Sequence, residues 1–292
     1  MTRPIVVFHA NCPDGMAAAW AVNLATRDLE RGFSAEFRPW RYDDPPLSLE
    51  EAAGREVIIA DFSFKRTDLQ AIHDVAKGLI VLDHHKTAQA ELTGLKFCIF
   101  DMERSGAGLA WDHFHTGPRP WLIDYVEDRD LWRHKLPMSR EVGAAIYELP
   151  FGEVDKTPDF APWFEMANNS VEAAAQRGRC HLQTATRMAN QIAANAQLCT
   201  LGGHICWVAS APVLFSEVAG MLAERPSAAS GGQHFMGAVC YQRADGRWVY
   251  SLRSRSGFDC SEVAKKFRGG GHAQAAGFVT DTPVHHRLQS TL

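Results

Sequence analysis

Three short apolar runs in the first 85 residues end in the same kind of side chain. Ile5-Val6-Val7-Phe8 is followed by His9, Val57-Ile58-Ile59-Ala60 by Asp61, and Leu79-Ile80-Val81-Leu82 by Asp83-His84-His85. Imidazole nitrogen and carboxylate oxygen are donors suited to manganese, zinc or iron. Two such ions about 3.5–4 Å apart, sharing one carboxylate, can activate water and clamp a phosphoryl oxygen. Asp14 and Asp128 extend the candidate ligands to His9, Asp14, Asp61, His84 and Asp128, with Asp83 and His85 beside them. Asp61, from the middle of the three runs, is the natural bridging carboxylate. His84 would bind through one ring nitrogen while an acceptor orients the other.

Each residue also has a plainer explanation. Asp14 can cap a helix, Asp61 can cap the loop before Phe62, and Asp128 and Asp130 can be solvated helix charges. The His84-His85 pair alone is weak. What favours chemistry is the common placement, because the strands of a parallel sheet all end on one edge, where ligands bind in open α/β folds.

The elements between these residues support that placement. Short apolar strands alternate with helical segments, which argues for a parallel, doubly wound sheet. Pro13-Asp14-Gly15 opens an alanine-rich helix from Met16 to Leu24 that Asp14 would cap. Thr67 and Gln70 have capping-box spacing at the head of a helix reaching Gly78. Trp121 to Trp132 reads as a helix with Asp124 and Asp128 one turn apart, and Ser170 to Leu198 as a long polar-alanine helix. Strands are expected at 204–209, 236–242 and 247–252, followed by a helix capped by Asp259 and a last strand near Phe278. The organisation predicted is a Rossmann-like metal-binding domain at 1–165, a helical linker at 166–199 and a smaller α/β domain at 200–292.

The 292-residue chain has a net charge of −4, which excludes a wholesale polyanion binder but not a local basic groove. That charge divides into +3 from Thr200 onward and −7 before it, an acidic part that could hold cations and a basic part that could hold phosphate. The basic part places Arg247, Arg253, Arg255, Lys265, Lys266 and Arg268 around Gly269-Gly270-Gly271-His272, where exposed N–H groups can form an anion-binding nest. Arg253 suits forked phosphate recognition. Seven scattered cysteines without a C-x-x-C pair argue against a disulfide framework or a structural zinc site. The N-terminal apolar run is too short for a signal peptide and no stretch is long enough to span a bilayer, so a cytoplasmic protein without a membrane partner is expected. Of the 13 histidines, His73, His113, His115, His181, His234, His285 and His286 lack any such context and read as surface or packing residues.

Leu82-Asp83-His84-His85 after a strand, Asp61 after the preceding one, Ser251-Leu252-Arg253-Ser254 and Gly269-Gly270-Gly271-His272-Ala273 together resemble the DHH phosphoesterases that carry a C-terminal DHHA1 domain. That family includes RecJ-type exonucleases, nanoRNases and cyclic-dinucleotide phosphodiesterases, and the resemblance covers nearly the whole chain. It implies a DHH domain joined to a DHHA1-like domain and two divalent ions, Mn2+ foremost, with Mg2+, Co2+ or Zn2+ as alternatives. It implies metal ligation by His9, Asp14, Asp61, His84 and Asp128, and catalytic roles for Asp61, His84 and His85. His85, Arg253, Gly270, Gly271 and His272 match phosphate-contacting positions. Cys12, Asp83, Asp130 and Arg255 are secondary candidates. One departure stands out: the family's first motif has a histidine and two aspartates separated by one residue, whereas His9-Ala10-Asn11-Cys12-Pro13-Asp14-Gly15-Met16 has one. Aligning Asp14 with the second aspartate puts Cys12 at the first; the other alignment puts Met16 at the second. The first is favoured, because Gly15 and the helix then fall in place.

The expected activity is a metal-dependent phosphodiesterase acting on short oligonucleotides or cyclic or linear dinucleotides, in a chain that could pair as a homodimer. An exopolyphosphatase or other phosphoanhydride hydrolase is the enzymatic alternative. A nucleotide- or RNA-binding protein whose metal site is impaired by the missing aspartate is the alternative from another class.

Overall fold

The computed structural model describes residues 2–27, 35–42, 44–154, 156–226, 236–255 and 257–288. The chain divides into two compact units, Met1–Leu182 and Gln183–Leu292. The first unit begins with β1 (Ile5–His9), α1 (Pro13–Thr26), β2 (Glu36–Trp40), α2 (Leu49–Ala52), β3 (Glu56–Ala60), α3 (Arg66–Val75), β4 (Gly78–Asp83), α4 (Lys86–Leu92) and β5 (Cys98–Phe100). It continues through α5 (Gly106–Phe114), α6 (Trp121–Asp130), α7 (Ser139–Ile146) and α8 (Ala161–Asn168) into α9 (Val171–Ala194), in which the division between the units falls.

Its five strands are ordered β2-β1-β3-β4-β5 and every pairing is parallel. The expected doubly wound sheet is present. Residue alternation explains why its strands read as unbroken apolar runs. Val6, Phe8, Ile58, Ala60 and Leu82 face a core shared with α1, α5 and α6, whereas Ile5, Val7, Val57, Ile59 and Val81 face one shared with α2, α3 and α4. The chain steps from β1 to one side for β2 and returns to the other side for β3, so the strand order reverses at β1. The carboxyl ends of β1 and β3 therefore flank the crevice that such a reversal opens.

Two local expectations are corrected. Asp14 does not cap α1, whose N-cap is Cys12 without a side-chain hydrogen bond, because the Asp14 carboxylate is engaged elsewhere. Thr67 does not cap α3: that helix starts at Arg66 behind Lys65, and the capping-box spacing goes unused.

The second unit contains β6 (Gln197–Leu201), β7 (His204–Ser210), α10 (Phe215–Glu224), β8 (Met236–Gln242), β9 (Trp248–Ser254), α11 (Cys260–Lys266), β10 (Gly270–Gly271), β11 (Ala275–Thr280) and β12 (His285–Arg287). Its sheet has the order β10-β11-β9-β8-β7-β6-β12, antiparallel except between β7 and β8. One face packs on α11 and the other on α10 with the end of α9. Asp259 caps α11 as expected, accepting from the Ser261 N–H at 3.0 Å. Among the described residues, no helix is long and apolar enough to cross a membrane.

Candidate metal centre

The end of β1, the residue after β3 and the end of β4 bring His9, Asp61, Asp83, His84 and His85 to one rim. Asp61 takes a left-handed φ of 54°, unusual for a residue with a side chain and a form of strain that clusters at functional sites. Gly106 makes room for it: a Cβ there would lie 2.3 Å from the Asp61 Cβ. Gly15 plays the same part on the other side, since a Cβ would sit 2.3 Å from the His9 carbonyl oxygen. These two glycines let the first turns of α5 and α1 close on the strand ends.

Asp14 reaches the rim from α1. Its oxygens accept hydrogen bonds from the N–H groups of Gly106 at 2.6 Å and Ala107 at 3.0 Å. A carboxylate at the start of α5 satisfies donors that lack helical partners and lies at the positive end of the helix dipole. The turn itself is held by Ser105, whose hydroxyl accepts from Gly108 N–H at 3.2 Å, and by buried Glu127, which accepts from Ser105 N–H at 3.1 Å. Arg119, Arg104 and Arg133 meet Glu127 Oε1 at 3.3, 3.4 and 3.5 Å and compensate its charge.

His84 is buried at the middle of the cluster. Its Nε2 lies 3.1 Å from Asp61 Oδ1, 3.5 Å from Asp14 Oδ2 and 3.6 Å from Asp130 Oδ2. The other Asp61 oxygen faces His9 Nδ1 at 3.5 Å, and neither of those atoms makes a hydrogen bond among the described residues. Within the first unit, two groups of three donors form among the described residues, each within 4.8 Å mutually: Asp14, His84 and Asp130, and His9, Asp61 and His85. The orphaned His9 Nδ1 and Asp61 Oδ2, the hard oxygen and imidazole donors, and their close grouping all fit divalent cations.

The charges are strongly coupled. Burial works against protonating His84, yet the Asp61 contact and the charges of Asp130, Asp61 and Asp14 push its pKa up to about 10. Burial works against ionising Asp61, and the contacts with His84 and His9 nevertheless hold its carboxyl well below the usual range. Burial and then the Asp61 charge raise the carboxyl of Asp14; burial also raises that of Asp130, against the pull of His84. His85 is held at Nδ1 by Asp83 Oδ1, 2.7 Å away, and Asp83 overcomes burial to raise the His85 pKa.

Asp128 is not in the cluster. Its carboxylate accepts from Lys135 N–H at 2.9 Å, Leu136 N–H at 3.4 Å and Ser139 Oγ at 2.5 Å, organising the loop after α6. Asp130, two residues on, takes the place expected for it. Cys12 lies near the carboxylates: after burial, the charges of Asp61, Asp130 and Asp14 push its thiol well above the ordinary value. Met16, the alternative alignment, is fully buried in the core.

In the second unit, Arg253 donates to Leu252 O at 2.8 Å and Ser216 Oγ at 2.5 Å. The glycine run is a two-residue strand rather than a loose turn, Gly270 and Gly271 pairing with Gly277 and Ala276. Gly271 has φ of 131°, and a Cβ there would come 2.5 Å from Ala275 O, so close strand packing accounts for it. Ser254 accompanies this hairpin, donating from its hydroxyl to Ala273 O at 2.9 Å, while His272 N–H donates to Ala275 O at 2.8 Å. Several expected phosphate-binding cations have protein partners: Arg247 pairs with Asp245, Arg255 with Glu224 and Lys265 with Glu262, and Lys266 donates to Gly202 O.

Among the histidines without a chemical context, His115 stacks on Trp111 at 4.0 Å and His73 on Phe97 at 4.6 Å; His234 lies outside the described residues. Sequence reasoning missed Tyr42 and Phe62, which adjoin His9 and His85. The apolar Phe62 directly after Asp61 was the available signal.

Residues 211–290 match the DHHA1 domain family. The uncharacterized protein R106 of Acanthamoeba polyphaga mimivirus is 29% identical over 94% of this chain and 67% of its own length. The solved DHH domain of a protein grouped with a family of ribosomal proteins covers 95% of this chain and 82% of its own at 14% identity, with a TM-score of 0.51, a likeness of fold. A pGpG-specific phosphodiesterase, PggH of Vibrio cholerae, aligns over 95% of this chain and 93% of its own at 14% identity and a TM-score of 0.45.

Proposed function

We propose that this chain, a DHH-family protein with a C-terminal DHHA1 domain, is a metal-dependent phosphohydrolase that cleaves phosphodiester bonds in short oligonucleotides or cyclic or linear dinucleotides. The observation that carries this reading is the position of Asp61, one oxygen toward His84 and the other toward His9, so that it links its own group with His9 and His85 to the group of Asp14, His84 and Asp130. Asp14, His84 and Asp130 with Asp61 would hold one divalent ion, and His9 and Asp61 with His85 nearby a second, Mn2+ foremost. Bound there, such ions supply Lewis acidity and acidify water.

The chain's own residues divide the remaining tasks. Asp61 carries the shared negative charge, and its low pKa keeps both oxygens available. His84 gives up the proton that neutralises the carboxylates in the metal-free cluster. His85, its Nδ1 held by Asp83, is proposed to contact the phosphoryl group, and its raised pKa favours the charged form that steadies a developing negative charge. Gly15 and Gly106 keep the helix starts close enough for Asp14 to stay in place. In the second unit, Arg253, Gly270, Gly271 and His272 are proposed to bind phosphate.

The test is turnover by metal-stripped protein resupplied with Mn2+. Its panel contains bis-p-nitrophenyl phosphate, dinucleotides, 2′,3′- and 3′,5′-cyclic nucleotides, single-stranded oligomers and polyphosphate. Mn2+-dependent phosphodiester cleavage that disappears in Asp61→Ala is expected. Tight nucleotide binding without turnover would establish a binding protein instead, a reading favoured by Cys12 at the missing aspartate. Turnover of polyphosphate alone would establish a phosphoanhydride hydrolase.

A further inference from the structure

Tyr42 stands two residues beyond the end of β2 and is 54% exposed. A single exposed aromatic residue needs no explanation by itself. This one is held at the rim of the candidate metal centre. Its ring stacks on buried Phe62, with centroids 4.5 Å apart and planes 29° apart, and meets the rings of His9 at 5.4 Å and His85 at 5.9 Å edge-on. Phe62 rests edge-on against Phe64 at 5.2 Å, and Phe64 against Trp40 at 5.7 Å, whose indole N–H donates to Pro45 O at 3.0 Å. The exposed ring is therefore braced from beneath by a row of aromatic side chains, and its orientation is set before any ligand arrives.

The hydroxyl does not account for the arrangement. It lies 3.4 Å from His85 Nδ1, an atom that Asp83 already holds at 2.7 Å. His85 is oriented without Tyr42. What Tyr42 adds is a flat, exposed, pre-oriented aromatic surface next to the second group of donors, and such a surface is sequence-tolerant recognition for a nucleobase. Polyphosphate offers it nothing to stack on.

We infer that Tyr42 is the stacking platform for the nucleobase next to the phosphate being cleaved, which makes the substrate a nucleotide rather than a polyphosphate; this rests on the phosphohydrolase reading above. One sugar separates a base from its own phosphate, so a base on Tyr42 leaves that phosphate beside His9 and His85.

The experiment compares a linear dinucleotide with a backbone-matched abasic analogue, for wild type, Tyr42→Ala and Tyr42→Phe with Mn2+. The readout is the ratio of kcat/KM with bases to that without. Tyr42→Ala should reduce this ratio on the order of tenfold, the scale of one base–aromatic stack, chiefly through KM. Tyr42→Phe should restore most of it. An unchanged ratio in Tyr42→Ala, or an equal fall in Tyr42→Phe, overturns the inference, the latter in favour of the hydroxyl. Should wild type cleave neither compound, the phosphohydrolase reading fails. The ratio of the two Kd values by calorimetry on the same three proteins then decides the stacking role separately, a base preference lost only in Tyr42→Ala supporting it and none in wild type overturning it.

Discussion

Metal binding should expel a proton from the cluster, and His84 identifies where that proton sits. In the metal-free protein the carboxylates of Asp14, Asp61 and Asp130 surround Nε2, and the His84 pKa of about 10 stands far above the ordinary 6.5. On a scale of about 1.4 kcal/mol for each tenfold, the fold holds that proton roughly 5 kcal/mol more tightly than an unfolded chain does. A cation entering among the same oxygens must replace it, so about one proton should leave per protein near neutral pH, and apparent affinity should rise about tenfold for each pH unit toward the His84 pKa. The sign for stability follows from the same shift. A raised histidine pKa stabilises the metal-free fold fully below about 6.5, and that contribution is lost as pH climbs through about 10. Calorimetric Mn2+ titrations in buffers of differing ionisation enthalpy count the protons directly. His84→Gln should release about one fewer than wild type. Equal release from both proteins, or none from wild type, would refute a protonated His84 at the centre.

Three further groups of substitutions separate the parts. Gly106→Ala puts a methyl 2.3 Å from the Asp61 Cβ and should cost about 1–3 kcal/mol in urea unfolding while weakening Mn2+ binding; wild-type values for both would show that the turn can yield. Asp130→Asn should lower the bound Mn2+ measured by atomic absorption. Asp128→Ala, which strips acceptors from Ser139 and two backbone N–H groups, should keep the ions but lose about 1–3 kcal/mol of stability, and the reverse pattern would restore Asp128 as the ligand. Cys12→Asp should tighten Mn2+ binding, on the order of tenfold for a neutral thiol replaced by a carboxylate; unchanged Kd by titration would place the missing aspartate elsewhere.

The parallel sheet and its rim were legible because the buried strands are apolar on both faces. The first polar residue after each run therefore marks a strand end, as at His9, Asp61 and Asp83. β2 was not, since Glu36-Phe37-Arg38-Pro39-Trp40 has no apolar run and carries a proline that only an edge strand accommodates readily. Tyr42, beyond an unseen strand, was hidden with it. Asp14 looked like the cap of its own helix, whereas its partners Gly106 and Ala107 are about ninety residues away and no local pattern points to them. Asp128 and Asp130 sit roughly 200° apart around α6 at 3.6 residues per turn, so one faces the rim and the other the following loop. Sequence periodicity does not say which.

The central claim is a pair of divalent ions divided by Asp61. Anomalous diffraction at the manganese edge, from crystals grown with Mn2+, tests it most directly. Two peaks are expected, one bordered by Asp14, His84 and Asp130 and one by His9 and His85, with an Asp61 oxygen on each. Absence of density at Asp61, or an undiminished pair of peaks in Asp61→Asn, would contradict it.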